Sequence, residues 1–186
     1  YYIDHTIYTG RPADTTSRLP KEIRTYDLLD SLGIAYARAD HDTLPTMEAC
    51  QEVGNLLGIE ICKNLFLRNT QKTAFYLLIL PGSKKFKTAA LSKQIGSARL
   101  SFAEPEFMEQ YLNITPGSVS VLGLMNDPEN KVRLLIDKDI LKNHPYFGCH
   151  PCINTSSLKF RTEDLLNKIL PAIHHDYTMV DLPYAE

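Results

Sequence analysis

The feature that most constrains the fold is a pair of apolar runs in the middle of the chain, residues 61–69 (ICKNLFLRN) and 73–80 (TAFYLLIL). Each run has the length of a strand and is short for a helix. Polar residues ending at Lys72 join the two runs, and Pro81-Gly82 terminates the second. The pair therefore predicts an antiparallel β-hairpin.

A lysine interrupts the apolar row of the first run. Side chains alternate along a strand, so Ile61, Lys63, Leu65 and Leu67 share one face. One interpretation is a lysine whose ammonium reaches the surface along its aliphatic stem. The other follows from the high cost of burying an unpaired ammonium, which favours a lysine that reaches a cleft or a ligand.

The remaining segments alternate between helical and extended patterns. Helices are predicted over 21–32 and 46–58, and a second hairpin is predicted from SVSVLGL and KVRLLID around the turn sequence MNDPEN. The segment PYFGCHPCINTSS is predicted as a loop that enters the strand SSLKF. Together these patterns predict a single α/β (α+β) domain over 21–172, with a mixed, largely antiparallel sheet surrounded by helices. Residues 1–20 are interpreted as an N-terminal extension and 173–186 as a peripheral C-terminal tail.

Composition excludes some classes of protein. The chain is 44% hydrophobic and 23% charged, as in a soluble globular domain, and it has no apolar run of about 18 residues that could span a membrane. Its first twenty residues lack the basic and apolar regions of a signal peptide. Four cysteines in a chain of this size are expected to be reduced thiols, which favours a cytoplasmic location.

Charge is distributed unevenly along the chain. Residues 61–103 contain no Asp or Glu and eight Lys or Arg, although the net charge of the whole chain is only −2. Such segregation indicates a basic face directed at a polyanion. The alternative is that these side chains scatter over a solvated surface without a common partner.

The segment GCHPC, residues 148–152, suggests three kinds of chemistry. Cys149 and Cys152 have the spacing of a dithiol redox motif, but no helix start follows them. A zinc site would need two further ligands at convincing spacing, and Cys50 and Cys62 do not supply it, so no metal is expected. His150 can hold an imidazole beside exposed backbone N–H groups, although an ordinary hydrogen-bonded loop histidine fits the same pattern.

Three segments together carry a resemblance to a known family. CKNLFLRN, LSKQIGSARLSFA and GCHPCIN resemble the free-standing prolyl-tRNA editing proteins of the YbaK type, a domain also inserted in bacterial prolyl-tRNA synthetases. The resemblance extends from about Lys21 to about Pro171 and is strongest to the branch that removes alanine from mischarged tRNA(Pro). It implies a mixed α/β domain with a curved central sheet, and neither metal nor cofactor.

The resemblance also implies roles for individual residues. Lys63 matches the key active-site lysine of the family, and Gly148 and His150 match the residues of its catalytic loop. Contacts to the substrate are expected from Asn64, Leu65, Cys149, Pro151 and Asn154. Since Lys63 and Asn64 point to opposite faces of an ideal strand, a bulge is expected there if both contact the substrate.

The implied reaction is hydrolysis of the ester between an amino acid and the 3′-terminal adenosine of tRNA. The acceptor end of tRNA(Pro) is the expected partner, prolyl-tRNA synthetase is a candidate second partner, and no membrane is involved. Cations expected to contact the tRNA are Arg68, Lys84, Lys85, Lys87 and Lys93, of which the three lysines after Pro81-Gly82 are expected to reach outward. Two alternatives stay open: deacylation of Cys-tRNA(Pro), and a nucleic-acid-binding module without catalysis.

Overall fold

The computed structural model describes residues 1–184 and contains two β-sheets. The strands are β1 (Tyr8–Thr9), β2 (Ala37–Asp40), β3 (Cys62–Asn69), β4 (Phe75–Pro81), β5 (Leu100–Phe102), β6 (Val132–Asp137), β7 (Tyr146–Cys149), β8 (Ser156–Arg161) and β9 (Tyr177–Val180). One sheet has the order β1-β2-β8-β7 and is antiparallel throughout. The other has the order β5-β3-β4-β6-β9, with β4, β6 and β9 parallel to one another. The predicted mixed, largely antiparallel α/β architecture is confirmed, although the strands divide between two sheets instead of forming one.

Helical segments cover the sheets. They are α1 (Pro20–Ser31), α2 (Met47–Leu57), α3 (Thr88–Ile95), α4 (Pro105–Leu112), a 3₁₀ helix (Val121–Asn126), α5 (Lys138–Asn143) and a final helical segment built from α6 (Thr162–Asp164), a π-helical stretch (Leu165–Ile169) and α7 (Leu170–Ala172). Thr46 caps α2 through its hydroxyl, and Gly58 ends α2 in the left-handed conformation with φ +71°.

Three apolar clusters hold the layers together. The largest lies between the two sheets and includes Phe66 and Ile79 from one sheet and Phe147 and Phe160 from the other. A second cluster covers the opposite face of the five-stranded sheet, under α3, and a third packs α2 against the four-stranded sheet. The order of layers is therefore α2, four-stranded sheet, main core, five-stranded sheet, α3.

The central hairpin of β3 and β4 is confirmed. Its register pairs Lys63 with Leu80 and Leu67 with Tyr76. In the connecting turn, the Asn69 side-chain oxygen accepts the backbone N–H of Thr73 at 2.8 Å. This bond satisfies the backbone where the chain reverses, so a short polar sequence is enough to connect the strands.

The second predicted hairpin is wrong. Residues 121–126 form a 3₁₀ helix that begins at Ser120, whose hydroxyl accepts the N–H of Leu122. β6 pairs instead with β4, in parallel. Val121, Leu122 and Leu124 are all buried, and a fully buried apolar run shows the same pattern whether it is extended or helical.

The segment predicted as a loop before SSLKF begins as a strand. Tyr146–Cys149 pairs antiparallel with β8, with Gly148 opposite Lys159 and Cys149 opposite Leu158. Phe147 and Cys149 are buried, whereas Tyr146 is exposed. The adjacent Gly148 and Cys149 concealed this alternation in the sequence, because neither residue type marks a strand face clearly.

Segments near both ends of the chain contribute to the fold, so the interpretation of 173–186 as a peripheral tail is wrong for residues 173–184, and its last two residues lie outside the described part. β9 pairs with β6, and His175 lies buried with Nε2 3.0 Å from Asp127 Oδ2. At the other end, β1 pairs with β2 and Ile3 is buried. Polar residues at the C-terminus find buried partners, which the hydropathy of the segment does not reveal. Within residues 1–184, no helix combines the length and the apolar character needed to cross a membrane.

Candidate active site

A small cavity of about 270 Å³ lies between α2, the beginning of β3, the end of β7 and the beginning of β8. Its apolar walls are Leu44, Met47, Ile59, Ile61, Leu65, Val119 and Leu158. Polar groups reach it from both sheets: Lys63 and Asn64 from β3, and His150 from the residue after β7. The cavity therefore brings together residues that are almost ninety positions apart in sequence.

Lys63 is partly buried at the wall of this cavity. Its ammonium donates a hydrogen bond to the backbone oxygen of Lys84 at 2.7 Å. An ammonium has three N–H donors, so two donors remain for a ligand. Lys63 thus reaches a cavity, in agreement with the prediction from the cost of burying an unpaired ammonium.

Lys63 and Asn64 both line the cavity although β3 has no bulge. The register is regular, with Lys63 opposite Leu80 and Asn64 opposite Ile79. β5 pairs only with the far end of β3, from Leu67 onward. The edge of β3 is therefore open beside Lys63 and Asn64, and side chains from both faces reach the same space. The Asn64 side-chain oxygen is buried and accepts no hydrogen bond from residues 1–184.

His150 is held in one orientation by its neighbours. Nδ1 lies 2.8 Å from the backbone oxygen of Ser156, and since a carbonyl oxygen only accepts, Nδ1 carries the hydrogen in this bond. The ring of His41 lies edge-on to it, with centroids 6.0 Å apart. Burial lowers the pKa of His150, the bond to Ser156 opposes that shift, and nearby His41 adds to it. The ring is therefore neutral at pH 7, with Nε2 free to accept a proton or a hydrogen bond.

Gly148 leaves room for the end of the Ile59 side chain at this site. A Cβ atom there would overlap Cδ1 of Ile59, which is itself a wall of the cavity. No side chain fits without moving that wall. The glycine also lies on β7, an edge strand of its sheet, where alternate backbone groups have no partner in the ladder.

The cysteines are free thiols with suppressed reactivity. Burial raises the pKa of Cys62 and of Cys152 to about 12, and it raises the pKa of Cys149 as well. Cys149 and Cys62 line the cavity as neutral, apolar groups. In the described part of the chain, no cluster of His, Cys, Asp and Glu has the arrangement of a metal site.

Two residues expected to contact the substrate do not line the cavity. Pro151 is buried, and Asn154 lies at a neighbouring surface depression. The side-chain oxygen of Asn154 accepts the backbone N–H of Leu44 at 3.3 Å. Asn154 therefore fastens the segment that carries one wall of the cavity, and the expected direct contacts are not supported for either residue.

The five cations expected at the tRNA divide into two groups. Lys84 is 2% exposed and forms salt bridges with Asp137, so the expectation that it reaches outward is wrong. Arg68 is also partnered, because its Nε donates to Oε2 of Glu104 and its Nη2 donates to Oε1 of the same carboxylate. Lys85, Lys87 and Lys93 are exposed.

Sequence reasoning missed part of the cavity. The residues concerned are Leu44, Met47, Cys50, Ile59, Gly117, Val119, Ser157 and Leu158. They come from four separate segments, and none has a local pattern that distinguishes it from ordinary core or turn residues. The Pro116-Gly117 pair signals a turn, but the sequence does not tell where that turn lies.

Comparison with known proteins agrees with this geometry. Residues 41–168 match the model of the aminoacyl-tRNA editing domain. The prolyl-tRNA editing protein ProX of Acetoanaerobium sticklandii is 32% identical over 83% of this chain and 93% of its own length. The prolyl-tRNA synthetase associated domain-containing protein 1 of Bos taurus is 28% identical over 74% of this chain and 82% of its own.

A solved structure shows the same fold. It is described as a candidate trans-editing enzyme for prolyl-tRNA synthetase and superposes with a TM-score of 0.65 at 16% identity, covering 90% of this chain and 99% of its own. The family match spans most of the chain and includes every polar residue that lines the cavity. The chain therefore belongs to the aminoacyl-tRNA editing family and is an aminoacyl-tRNA deacylase.

Proposed function

We propose that this protein removes alanine from mischarged tRNA(Pro) in trans, in the cytoplasm. The observation that carries the proposal is the convergence of Lys63, Asn64, Gly148 and His150 on one small apolar cavity. The preference for tRNA(Pro) is supported by the similarity to ProX, of which this chain covers 93%. Functional association with prolyl-tRNA synthetase is supported by the name of the Bos taurus relative.

The reaction needs stabilisation of negative charge on an ester carbonyl. A water oxygen bonds to the carbonyl carbon, the bond to the ribose oxygen breaks, and a proton passes from the water to that leaving oxygen. In the intermediate, the carbonyl oxygen is an oxyanion. The Lys63 ammonium, held at 2.7 Å by the Lys84 carbonyl, has two free donors to position or stabilise it.

Water is a better candidate nucleophile than a thiol at this site. Cys62 and Cys149 line the cavity, but burial raises the pKa of both thiols, so the reactive thiolate is disfavoured. His150 donates through Nδ1 to Ser156, which leaves Nε2 able to accept a hydrogen bond from the water or from a ribose hydroxyl.

The amino acid is recognised by a donor group and by its size. The α-ammonium of the substrate would supply the donor that the buried Asn64 oxygen lacks among residues 1–184. Leu65 and the other aliphatic walls would enclose the side chain. A cavity of about 270 Å³ with aliphatic walls would hold a small apolar side chain, and the contacts of those walls would set which amino acids are accepted, as in the second sieve of an editing system.

The tRNA would approach over the exposed part of the acid-free segment. Lys85 directly follows Lys84, whose carbonyl contacts Lys63, and Lys87 comes two residues later, so both exposed lysines are close in sequence to a residue that contacts the site. Phe102 is 60% exposed and lies edge-to-face with Phe86, with centroids 5.6 Å apart. Exposed cations and an exposed ring match the phosphates and unstacked bases of a single-stranded 3′ end.

The test is incubation with tRNA(Pro) carrying alanine, cysteine or proline, with the rate of loss of each ester measured separately. We expect alanine to be released fastest and proline to be retained. Faster loss of cysteine would assign the protein to Cys-tRNA(Pro). Binding of all three without hydrolysis would support the non-catalytic alternative.

A further inference from the structure

Lys84 is a buried cation that the reaction described above does not use. Its side chain is 2% exposed, and Nζ lies 3.0 Å from Asp137 Oδ1 and 3.4 Å from both Asp139 Oδ2 and Asp181 Oδ1. Burial lowers the pKa of Lys84, but the hydrogen bond to Asp137 and the charges of the carboxylates outweigh it, so the pKa is raised. The ammonium is therefore charged at every physiological pH.

The three carboxylates belong to separate parts of the chain. Asp137 ends β6, Asp139 lies in the first turn of α5, and Asp181 follows β9. Asp137 also accepts the backbone N–H of Leu182 at 3.0 Å. The side chain of Lys84 thus fastens the turn after β4 to the neighbouring strand and to the C-terminal segment.

The backbone of the same residue contacts the active site. The oxygen of Lys84 accepts the Lys63 ammonium at 2.7 Å, and its N–H donates to the oxygen of Pro81 at 3.1 Å. The position of the Lys84 carbonyl depends on the conformation of the turn. The salt bridges of the Lys84 ammonium hold that turn in place. One residue therefore connects the salt-bridge cluster with the cavity.

We propose that Lys84 is a positioning residue for Lys63, and this inference rests on the catalytic role proposed for Lys63. Lysine has four rotatable side-chain bonds and loses considerable rotamer entropy when it is ordered. The Lys84 carbonyl orders the Lys63 ammonium before the substrate arrives. Without it, the ammonium samples several positions, and a smaller fraction of molecules has the charge where the oxyanion forms.

The principal test is Lys84→Met, assayed by single-turnover deacylation of Ala-tRNA(Pro) together with thermal unfolding. The turn loses its anchor, so we expect the rate to fall about tenfold. The melting temperature falls as well, by roughly 10 °C, because the carboxylates lose their buried partner. Rates are compared well below the transition, so that folded protein is measured in each case.

Asp127→Asn is the matched control. It disrupts a second buried interaction, Asp127 with His175, which also fastens the C-terminal segment but involves no residue of the cavity. This variant is expected to lose thermal stability with an unchanged rate. Equal slowing by Asp127→Asn and Lys84→Met would overturn the proposal, because general loosening would then explain both.

The Lys63→Ala background separates positioning from structure. If Lys84 acts through Lys63, adding Lys84→Met to Lys63→Ala changes the residual rate less than about twofold. A tenfold loss that persists without Lys63 would overturn the inference and leave the proposed function intact. Full activity of Lys63→Ala alone would instead contradict the catalytic role of Lys63.

Asp181→Asn provides the same test if Lys84→Met does not fold. The Asp181 side chain is 63% exposed, so its substitution leaves the buried Lys84–Asp137 pair in place. We expect a twofold to threefold slower reaction, again absent in the Lys63→Ala background. An unchanged rate would contradict the proposed connection.

Discussion

The two sheets contribute to the proposed active site in different ways. The five-stranded sheet provides Lys63, a long side chain whose ammonium is held by a single backbone oxygen. The four-stranded sheet provides His150, a rigid ring fixed by the Ser156 carbonyl and packed beside His41. The two sheets therefore contribute different groups: one brings a positive charge held in place by a backbone hydrogen bond, and the other brings an oriented, neutral acceptor.

The largest effect on the deacylation rate is expected from removing the positive charge of Lys63. Lys63→Ala should reduce deacylation about 10²–10³-fold, the usual cost of removing a group that stabilises an oxyanion. Circular dichroism and thermal unfolding establish that the variant is folded. Lys63→Met, which keeps the aliphatic stem, should be as inactive as Lys63→Ala. Substantial activity in either variant would contradict the proposed role of the Lys63 ammonium.

His150 is expected to contribute about 10²-fold, the lower end of the range for a positioned acid or base. His150→Ala removes the acceptor, and the loss is measured on the same Ala-tRNA(Pro) substrate. A Lys63→Ala/His150→Ala double variant then tests whether the two contributions are independent. Losses that multiply would indicate separate contributions, whereas a double variant no slower than Lys63→Ala would show that the two act as one unit.

The pH dependence follows from the direction of the His150 shift. Because burial lowers its pKa from the ordinary 6.5, the neutral ring prevails above pH 6.5 and protonation occurs only at lower pH. The rate should therefore fall on the acid side of pH 6.5 as the ring becomes protonated. In His150→Gln the acid limb should disappear, and persistence of the same limb would assign it to another group, such as His41.

A smaller effect is expected from crowding at Gly148. Gly148→Ala places Cβ against Cδ1 of Ile59, so the wall must move, and we expect about tenfold lower kcat/KM. Ile59→Val removes the clashing Cδ1 atom and should restore most of the loss when combined with Gly148→Ala. If Ile59→Val does not restore activity, Gly148 contributes through its backbone groups and not through the space beside Ile59.

The exposed lysines Lys85 and Lys87 should affect tRNA binding more than the rate of ester hydrolysis. Lys85→Glu/Lys87→Glu should weaken tRNA binding and reduce the salt dependence by roughly 0.7–0.9 in log–log slope per lost contact. The minimal substrate alanyl-adenosine should be cleaved at the normal rate, since the cavity is intact. Lys131→Glu/Lys168→Glu, a similar change at other exposed positions, is the control and should leave tRNA binding unchanged.

Phe102→Ala is expected to have the smallest effect. Loss of one stacking contact is worth about 1–3 kcal/mol of binding, and the exposed position of Phe102 favours the lower value. Affinity for the single-stranded 3′ end should fall severalfold without a change in salt slope. Unchanged affinity would place the bases elsewhere on the surface.

Local sequence patterns were sufficient to predict several elements of this structure. The β3–β4 hairpin, α2 with its Thr46 cap and Gly58 stop, and the anomaly of Lys63 all follow from interactions between residues close in sequence. Strand alternation and the cost of burying an ammonium are local rules, so they hold before the rest of the fold is known. The convergence of Lys63, Asn64, Gly148 and His150 had to be taken from a family resemblance.

Tertiary structure alone decided which charged side chains are exposed to a partner and which strands pair. Lys84 and Lys85 are adjacent and chemically identical, yet one is buried among carboxylates from β6, α5 and the C-terminal segment, and the other is exposed. In the same way, β6 pairs with β4 and β9 across long stretches of chain. The free energy of a buried charge or a parallel strand depends on partners distant in sequence, and no local pattern records where those partners will lie.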